Sequence, residues 1–169
     1  MKLLVMSDSH GASHNILRAL RIHSDADAVI FLGDGITDFM QSKDAFPNVA
    51  FFAVSGNCDI GVGAAYGIRA SEQITLEGKR IFYTHGHAYS VKGGTGALVS
   101  AARSRDADIV LFGHTHVPLE RYIPEDEEGG AIYLVNPGSI RASRDTCRPS
   151  YAVITLDGEN VLISHGELH

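Results

Sequence analysis

Short apolar runs, each followed at once by a polar cluster, constrain the fold of this sequence more than any other feature. Five such clusters occur: Asp8-Ser9-His10, Gly33-Asp34, Gly56-Asn57, Thr84-His85-Gly86-His87 and Gly113-His114-Thr115-His116. Continuous rather than alternating apolar runs are typical of strands that are covered on both faces. Ligands of such sheets bind beyond the carboxyl ends of the strands. We therefore expect the five clusters to converge and to form a site that contains Asp, Asn and His.

Strand and helix patterns alternate in the first third of the chain. The apolar run Lys2 to Met6 predicts a strand, and the helical spacing that follows it predicts a helix with Ser13 as its N-cap. Ala28 to Leu32 and Val49 to Val54 predict two further buried strands. Alternation of this kind indicates βαβ units.

The remaining sequence predicts a mostly antiparallel half. Ser71 to Leu76 and Arg80 to Thr84 flank Glu77-Gly78-Lys79, which predicts a hairpin with a three-residue loop. A short helix over Ala97 to Arg103 and a buried strand over Asp108 to Phe112 follow. Two more hairpins are predicted in the C-terminal third of the chain.

Composition and charge exclude several functional classes. A chain of 169 residues can bury about 70% of the surface that its unfolded form exposes, so we expect one domain over residues 1–169, with two mixed sheets packed face to face. The net charge of −6, without clusters of Lys or Arg, argues against a surface that coats nucleic acid. No segment reaches the roughly 18 apolar residues of a membrane span. Cys58 and Cys147 form no disulfide framework, and we expect a cytoplasmic protein.

Each polar cluster, taken alone, is weak support for a site. Asp-Gly and Gly-Asn are ordinary turn dipeptides, and an Asp two residues before a His is common by chance. The pair His85 and His87 and the pair His114 and His116 are harder to explain as turns, because two imidazoles after a buried strand must each find a partner. Gly113 would permit a sharp turn, and in an extended chain beyond it both His side chains would point the same way, towards neighbouring ions.

The order of the clusters resembles that of the calcineurin-like metallophosphoesterases. The family pattern Asp-x-His, Gly-Asp, Gly-Asn-His, His and Gly-His-x-His is spread over residues 8–116 of this sequence, and the segment Asn136-Pro137-Gly138-Ser139 is similar too. Within the family, the sequence most resembles the compact prokaryotic phosphodiesterases. The resemblance implies an α/β fold, a four-layer αββα sandwich of two mixed β-sheets flanked by helices.

The resemblance also implies two metal ions that share one carboxylate. The ligands of the first metal would be Asp8, His10 and His116, those of the second would be Asn57, His85 and His114, and Asp34 would bridge the two. A bridging carboxylate holds two cations roughly 3.5 to 4 Å apart, and a hydroxide that bridges them attacks phosphorus in line. Nitrogen and oxygen ligands suit Mn²⁺, Fe²⁺, Ni²⁺ or Zn²⁺. The resemblance favours Mn²⁺.

One position departs from the family pattern. Many members have a His directly after Gly-Asn, whereas this sequence has Cys58. A thiol is a weak hydrogen-bond donor and cannot replace an imidazolium as a general acid. We expect His87 to supply the acid, with His14 as the second candidate, so Asp34, Asn57 and His87 are the predicted catalytic residues. Cys58 itself is expected to be a small buried side chain beside a turn.

A small phosphate ester is the expected substrate. The Cys at position 58 favours a diester, and hydrolysis of phosphomonoesters or nucleotides at the same site is the alternative. Arg141, Arg144 and the segment Asn136 to Ser139 either line the substrate pocket or form a turn and a solvated basic face. Asp59 and Ser9 are expected to support the site or shape its turns.

A non-catalytic interaction scaffold is the hypothesis from another class, because a eukaryotic retromer subunit shares this compact fold. All seven predicted metal positions have a side chain that can bind a metal, which favours the enzyme. We expect no membrane partner, and we leave open whether the chain forms a homo-oligomer.

Overall fold

The computed structural model describes residues 1–43 and 45–169. Ten strands are formed in these residues: β1 (Lys2–Met6), β2 (Ala28–Phe31), β3 (Ala50–Ala53), β4 (Ser71–Leu76), β5 (Lys79–Thr84), β6 (Ile109–Phe112), β7 (Pro118–Ile123), β8 (Ile132–Pro137), β9 (Ser150–Asp157) and β10 (Asn160–Glu167). The helices are α1 (Ser13–Ile22), α2 (Ile36–Lys43), α3 (Val62–Ala65) and α4 (Gly96–Arg103), and a 3₁₀ turn spans His87–Tyr89. No helix in the described ranges is both long enough and apolar enough to span a membrane.

The strands form two five-stranded sheets that each contain parallel and antiparallel pairs. The order of the first sheet is β10-β9-β1-β2-β3, and β1, β2 and β3 are parallel. The order of the second sheet is β4-β5-β6-β8-β7, and β5, β6 and β8 are parallel. The parallel strands of each sheet therefore end at the same edge of that sheet.

An apolar layer fills the space between the two sheets. Leu3 and Ile30 of the first sheet and Ile81 and Leu111 of the second are fully buried in this layer. Alternate residues of a strand point to opposite faces, so the neighbours of these residues point away from the layer.

Helices cover the outer faces of both sheets. On the first sheet, Leu4 of β1 belongs to a buried cluster with Ile16 of α1 and Phe39 of α2. On the second sheet, Val110 of β6 belongs to a cluster with Leu98 of α4. Both faces of each central strand are covered, which explains the continuous apolar runs. The predicted four-layer αββα sandwich is confirmed.

The predicted N-cap of α1 is wrong by one residue. The helix begins at Ser13, and Ala12 occupies the N-cap position without a side-chain hydrogen bond to the helix. The cause is the preceding turn, in which the backbone N–H of Ala12 donates to the carbonyl oxygen of Ser9 at 2.8 Å. This turn brings the chain into the helix before the Ser13 side chain can act as a cap.

The predicted three-residue loop of the β4–β5 hairpin is also wrong. Leu76 pairs with Lys79, so the loop has two residues, Glu77 and Gly78. Both have positive φ, of 48° and 76°, as a type I′ turn requires. The twist of this turn matches the twist of the flanking strands, which favours the shorter loop.

The prediction of a mostly antiparallel C-terminal half is only partly correct. The β7–β8 and β9–β10 pairs are antiparallel, as predicted. Strand β6, however, pairs in parallel with both β5 and β8. Helix α4 lies between β5 and β6 in the sequence, and a helical crossover of this kind joins parallel strands.

Replacing Leu111 by Ala should lower the free energy of unfolding by about 2 to 5 kcal/mol, because the lost side chain leaves a cavity between the sheets. Chemical denaturation measures the change. Leu162→Ala is the matched control, since the Leu162 side chain on β10 is 65% exposed, and its loss should cost less than about 0.5 kcal/mol. Equal losses in the two variants would contradict the assigned core.

Candidate metal centre

The five polar clusters follow strands that end at the same side of the two sheets. Asp8 and His10 follow β1, Asp34 follows β2, Asn57 follows β3, His85 follows β5, and His114 and His116 follow β6. Loops from both sheets meet here, because the backbone N–H of His114 donates to Asp8 Oδ2 and His85 Nδ1 contacts the carbonyl oxygen of Leu32. The structure therefore brings all seven predicted metal ligands together.

Left-handed backbone conformations place most of these side chains. Five of the seven candidate ligands have positive φ: Asp8, His10, Asp34, His114 and His116. Such conformations are uncommon for residues other than glycine and cluster at functional sites. The predicted extended chain at His114 and His116 is therefore wrong, and turns rather than strand alternation direct both rings to the site.

Gly113 has a different role from the predicted one. Its φ is not positive, so the glycine is not required for a sharp turn. A Cβ at this position would instead overlap the Ser7 hydroxyl and would approach Asp8 Oδ2 to 2.8 Å. The absence of a side chain at Gly113 allows the loop after β6 to approach the loop after β1.

Asp8 has one satisfied and one unsatisfied carboxylate oxygen. Oδ2 accepts hydrogen bonds from Ser7 Oγ at 2.5 Å and from the backbone N–H of His114 at 3.0 Å. Oδ1 is buried and has no hydrogen-bond partner among the described residues. A buried carboxylate oxygen without a partner is costly, and a cation would satisfy it.

The first group of candidate ligands surrounds Asp8 Oδ1. His116 Nε2 lies 3.0 Å from this oxygen, and His10 Nε2 lies 3.8 Å from it. The two imidazole nitrogens are 3.4 Å apart. Asp8 is fully buried, whereas the side chains of His10 and His116 are 24% and 19% exposed, so this group is open to solvent on its imidazole side.

The second group is centred on His85, which is fully buried. His85 Nδ1 lies 2.7 Å from the carbonyl oxygen of Leu32. A carbonyl only accepts, so Nδ1 carries the proton and neutral His85 presents a lone pair at Nε2. That nitrogen lies 3.2 Å from Asn57 Oδ1 and 3.1 Å from His114 Nδ1. A backbone carbonyl that fixes the tautomer in this way is typical of metal-binding histidines.

Asp34 lies between the two groups. Its Oδ2 is 3.8 Å from His10 Nε2 and 3.4 Å from His85 Nε2. Its Oδ1 accepts the backbone N–H of Cys58 at 2.7 Å, which orients the carboxylate. The orientation leaves Oδ2 directed at both groups, as a bridging ligand requires.

The pKa shifts of Asp34 and His114 suit cation binding at neutral pH, whereas that of His85 means that a cation must displace its second proton. Burial alone would raise the pKa of Asp34, but the hydrogen bond to His85 and the charge of His85 lower it well below its ordinary value. Burial opposes the charged form of His85, and the neighbouring carboxylates Asp34 and Asp8 nevertheless raise its pKa. Burial and the charge of His85 lower the pKa of His114 to about 4. Ionised Asp34 and neutral His114 are the forms that bind metals.

Asp59 holds the loops after β2 and β3 together. Its Oδ2 accepts the backbone N–H groups of Asp34 at 2.7 Å and Gly56 at 2.8 Å. Its Oδ1 accepts those of Gly35 at 2.9 Å and Ile36 at 3.0 Å. The sequence predicts only that Asp59 supports the site or shapes its turns, and these four hydrogen bonds define how it does so.

The segment Asn136 to Ser139, at the end of β8, supports the loops of the site. Asn136 is fully buried, and its Nδ2 donates to the carbonyl oxygen of Gly113 at 2.9 Å. Ser139 Oγ donates to the carbonyl oxygen of Asp8 at 2.8 Å. Of the two arginines that follow, Arg141 lines a cavity of about 270 Å³ beside His10, and Arg144 is exposed.

Cys58 is exposed, so the prediction of a small buried side chain is wrong. The backbone hydrogen bond to Asp34 fixes the residue at the rim of the site, and the side chain lines a cavity of about 290 Å³ with His10 and Val62. Partial burial and the charges of Asp34 and Asp59 raise the pKa of the thiol to about 11. The thiol is therefore protonated at neutral pH, which excludes a role as a thiolate nucleophile in the free protein.

The two candidate general acids lie beside different ligand groups, His87 near His85 and His114, and His14 in a cavity that His10 also lines. The His87 ring centroid is 5.4 Å from that of His85 and 6.1 Å from that of His114. His87 Nδ1 is buried without a hydrogen-bond partner in the described part of the chain. His14 is exposed and lines the 270 Å³ cavity with Arg141.

The donor atoms fit divalent cations. In each of two groups, Asp8 with His10 and His116, and Asp34 with His85 and His114, the ligand atoms lie within 4.8 Å of one another. Oxygen and nitrogen lone pairs directed at one another repel unless a proton or cation lies between them. The unsatisfied oxygen of Asp8 therefore supports binding of a metal ion by these residues.

Comparisons with known proteins agree with this reading. A family model described as the calcineurin-like phosphoesterase superfamily domain matches residues 1–159. The chain is 30% identical over 161 residues to the probable metallophosphoesterase YsnB of Bacillus subtilis, and this alignment covers 94% of this chain and 86% of YsnB. It is 29% identical over 181 aligned positions to phosphodiesterase YfcE of Escherichia coli, and this alignment covers 96% of this chain and 91% of YfcE.

A solved structure shows the same fold at lower identity. A single-mutant form of Vps29 from Entamoeba histolytica is 22% identical, with a TM-score of 0.73 over 100% of both chains. At this identity the likeness is one of fold alone.

Asp59→Asn should lower the free energy of unfolding by about 2 to 4 kcal/mol, because the amide nitrogen would face two backbone N–H groups that lose their acceptor. Thermal or chemical denaturation measures the loss. Asp157→Asn, at the exposed end of β9, is the control and should change stability by less than about 0.5 kcal/mol. An unchanged Asp59→Asn variant would show that these hydrogen bonds do not hold the loops.

Proposed function

The chain belongs to the calcineurin-like phosphoesterase superfamily, a family of hydrolases that act on phosphoric esters, and on that premise we propose that it is a dinuclear metal-dependent phosphodiesterase acting on small phosphate esters. The position of Asp34 supports this proposal most strongly. One carboxylate oxygen is directed at His10 of the first group and at His85 of the second. A single oxygen shared by two ligand groups is the arrangement that two adjacent cations need.

Seven residues would hold the metals. The first ion would be bound by Asp8, His10 and His116, the second by Asn57, His85 and His114, and both by Asp34. When bound, the two cations would lower the pKa of a water molecule and neutralise negative charge on the phosphate oxygens. Nitrogen and oxygen ligands suit Mn²⁺, which we rank before Ni²⁺, Fe²⁺ and Zn²⁺.

The chain's own residues would fix the geometry of the reaction. The carbonyl of Leu32 holds the His85 ring, and the backbone N–H of Cys58 holds the Asp34 carboxylate, so neither ligand needs to reorganise. Preorganised groups of this kind lower the cost of reaching the transition state. Asn57 would bind the second metal through the Oδ1 that faces His85 and would orient the phosphate oxygens through its amide N–H.

The dimensions of the site favour a small substrate. The exposed faces of His10 and His116 are the approach to the candidate ligands. Two cavities of about 290 and 270 Å³ flank His10. Together they have room for the two ester groups of a small phosphodiester on either side of a phosphate.

Position 58 supports a diester rather than a monoester. The thiol of Cys58 is protonated and donates weakly, so this residue offers little charge stabilisation to a dianionic monoester. The relative YfcE is named a phosphodiesterase. Hydrolysis of phosphomonoesters or nucleotides at the same centre is the alternative, and a comparison of initial rates on the two ester classes decides between them.

His87 is the proposed general acid. Its ring lies beside the second ligand group and is partly exposed, although its Nδ1 is buried without a hydrogen-bond partner in the described residues. Burial and the charge of His85 lower its pKa, which makes the protonated form a stronger acid but a scarcer one at neutral pH. His14 is the second candidate, on the side of Arg141.

The non-catalytic scaffold is disfavoured by the same geometry. A scaffold has no need for a buried carboxylate whose second oxygen lacks a hydrogen-bond partner in the described residues and faces the imidazole nitrogens of His10 and His116. We further propose that residues 1–169 form one domain, that the protein is cytoplasmic and that it can form a homo-oligomer. Size-exclusion chromatography tests the oligomeric state, and localisation of the protein in the cell tests the compartment.

Asp34→Asn should abolish tight binding of both metal ions and nearly all hydrolysis, because a neutral amide cannot bridge two cations. Metal analysis after Mn²⁺ loading and assays on di-, mono- and cyclic phosphate esters measure the two effects. Asp157→Asn, at the exposed end of β9, is the control, and it should bind metal and hydrolyse the esters as the wild type does. Two bound ions per chain with unchanged turnover in Asp34→Asn would contradict the bridging role.

His87→Gln should lower kcat by about 10²-fold or more for diesters with alkyl leaving groups, and far less for nitrophenyl diesters, because only a poor leaving group needs a general acid. In the wild-type protein, activity on alkyl diesters should fall as pH rises through a value below the ordinary pKa of His, since only protonated His87 can donate. This pH dependence should be lost in the variant. Equal effects on both leaving groups would exclude His87 as the acid.

A further inference from the structure

A third group of possible metal ligands overlaps the two already described. His10, Asp34 and Cys58 each offer one ligand atom, and these three atoms lie within 4.8 Å of one another. His10 and Asp34 already belong to the candidate metal centre. Cys58 is the new member, and it adds the sulfur atom that the predicted ligand set lacked.

The sulfur of Cys58 is held beside the site. The backbone N–H of Cys58 donates to Asp34 Oδ1 at 2.7 Å, which fixes the residue against the proposed bridging carboxylate. Asn57 Nδ2 lies 3.3 Å from Cys58 Sγ. The side chain is exposed to the 290 Å³ cavity that His10 and Asp34 also line, so a hydrated ion has access to all three residues.

The surroundings of this sulfur favour a cation. Asp34, Asp38 and Asp59 line the same cavity as the thiol. A cation that binds there displaces the thiol proton to solvent, and the resulting thiolate becomes a ligand.

Thiolate ligands discriminate between metals. Zn²⁺ and Co²⁺ bind sulfur readily, whereas Mn²⁺ prefers oxygen and nitrogen. The side chain at position 58 would therefore affect the affinities of these ions differently.

We propose that Cys58 Sγ is a ligand, together with His10 and Asp34, for a thiophilic divalent cation such as Zn²⁺ at the first metal position. This inference rests on the proposed dinuclear centre and extends it, because it assigns a ligand that the nitrogen and oxygen set does not contain. The consequence is a centre whose affinity for Zn²⁺ depends on Cys58, while its affinity for Mn²⁺ does not.

Cobalt spectroscopy tests the proposed bond directly. The protein is loaded with Co²⁺ alone, and the near-ultraviolet thiolate-to-cobalt charge-transfer band is recorded for wild type, Cys58→Ser and Cys147→Ser. Cys147 is the matched control, since it is also an exposed free thiol but belongs to none of the ligand groups found in the described residues. We expect the band in wild type and Cys147→Ser, and its loss in Cys58→Ser.

Thiol protection gives a second readout. In Cys147→Ser, the only thiol is Cys58, and saturating Zn²⁺ should slow its alkylation by about tenfold or more, because a metal-bound thiolate is blocked. Mn²⁺ should have little effect. Titration of Cys58→Ser should show Zn²⁺ affinity reduced by about tenfold or more, with Mn²⁺ affinity little changed.

The outcomes separate this inference from the proposed function. Two bound Co²⁺ ions without a charge-transfer band, a band that persists in Cys58→Ser, or no protection by Zn²⁺ would overturn the assignment of Cys58, and diester hydrolysis by the Mn²⁺-loaded wild type would still support the dinuclear centre. A wild-type protein that binds neither Co²⁺ nor Mn²⁺ would overturn both proposals.

Discussion

The burial of two carboxylates at the junction of the two sheets is the constraint on which the site depends. Asp8 is fully buried and Asp34 nearly so, and ionised carboxylates are costly to remove from water. Hydrogen bonds from Ser7, His114 and Cys58 satisfy one oxygen of each carboxylate. The other oxygen of each is directed at imidazoles. The αββα scaffold therefore holds negative charge where only a proton or a cation can balance it.

The sequence predicted the elements that depend on local patterns. The buried strands β1, β2 and β6, the layers and the convergence of the clusters follow from apolar runs that end in polar residues, and these are confirmed. Strand β3 is also predicted to be buried, but it lies at the edge of its sheet and is only partly buried. The predicted N-cap at Ser13 and the predicted three-residue loop around Gly78 are wrong, because a neighbouring turn decides the first and the twist of the strands decides the second. The exposure of Cys58 and the four hydrogen bonds to Asp59 depend on contacts between loops far apart in the sequence. No local pattern encodes such contacts.

The site is asymmetric, and its asymmetry connects the two proposals. One side of His10 has carboxylates and the thiol of Cys58, and the other side has His14 and Arg141 without an acidic residue in the cavity lining. In the proposed diester substrate, an uncharged ester substituent would suit the first side, and a substituent that carries a negative charge would suit the second side. If both proposals hold, the thiol that offers weak support to a dianionic substrate also serves as a ligand to a thiophilic metal, and position 58 then links substrate preference with metal preference.

Anomalous scattering from crystals of the Mn²⁺-loaded protein tests the dinuclear centre most directly. We predict two peaks roughly 3.5 to 4 Å apart, with Asp34 Oδ2 coordinated to both ions and Asp8 Oδ1 coordinated to one. A single peak, or two peaks that do not share Asp34, would contradict the proposed centre.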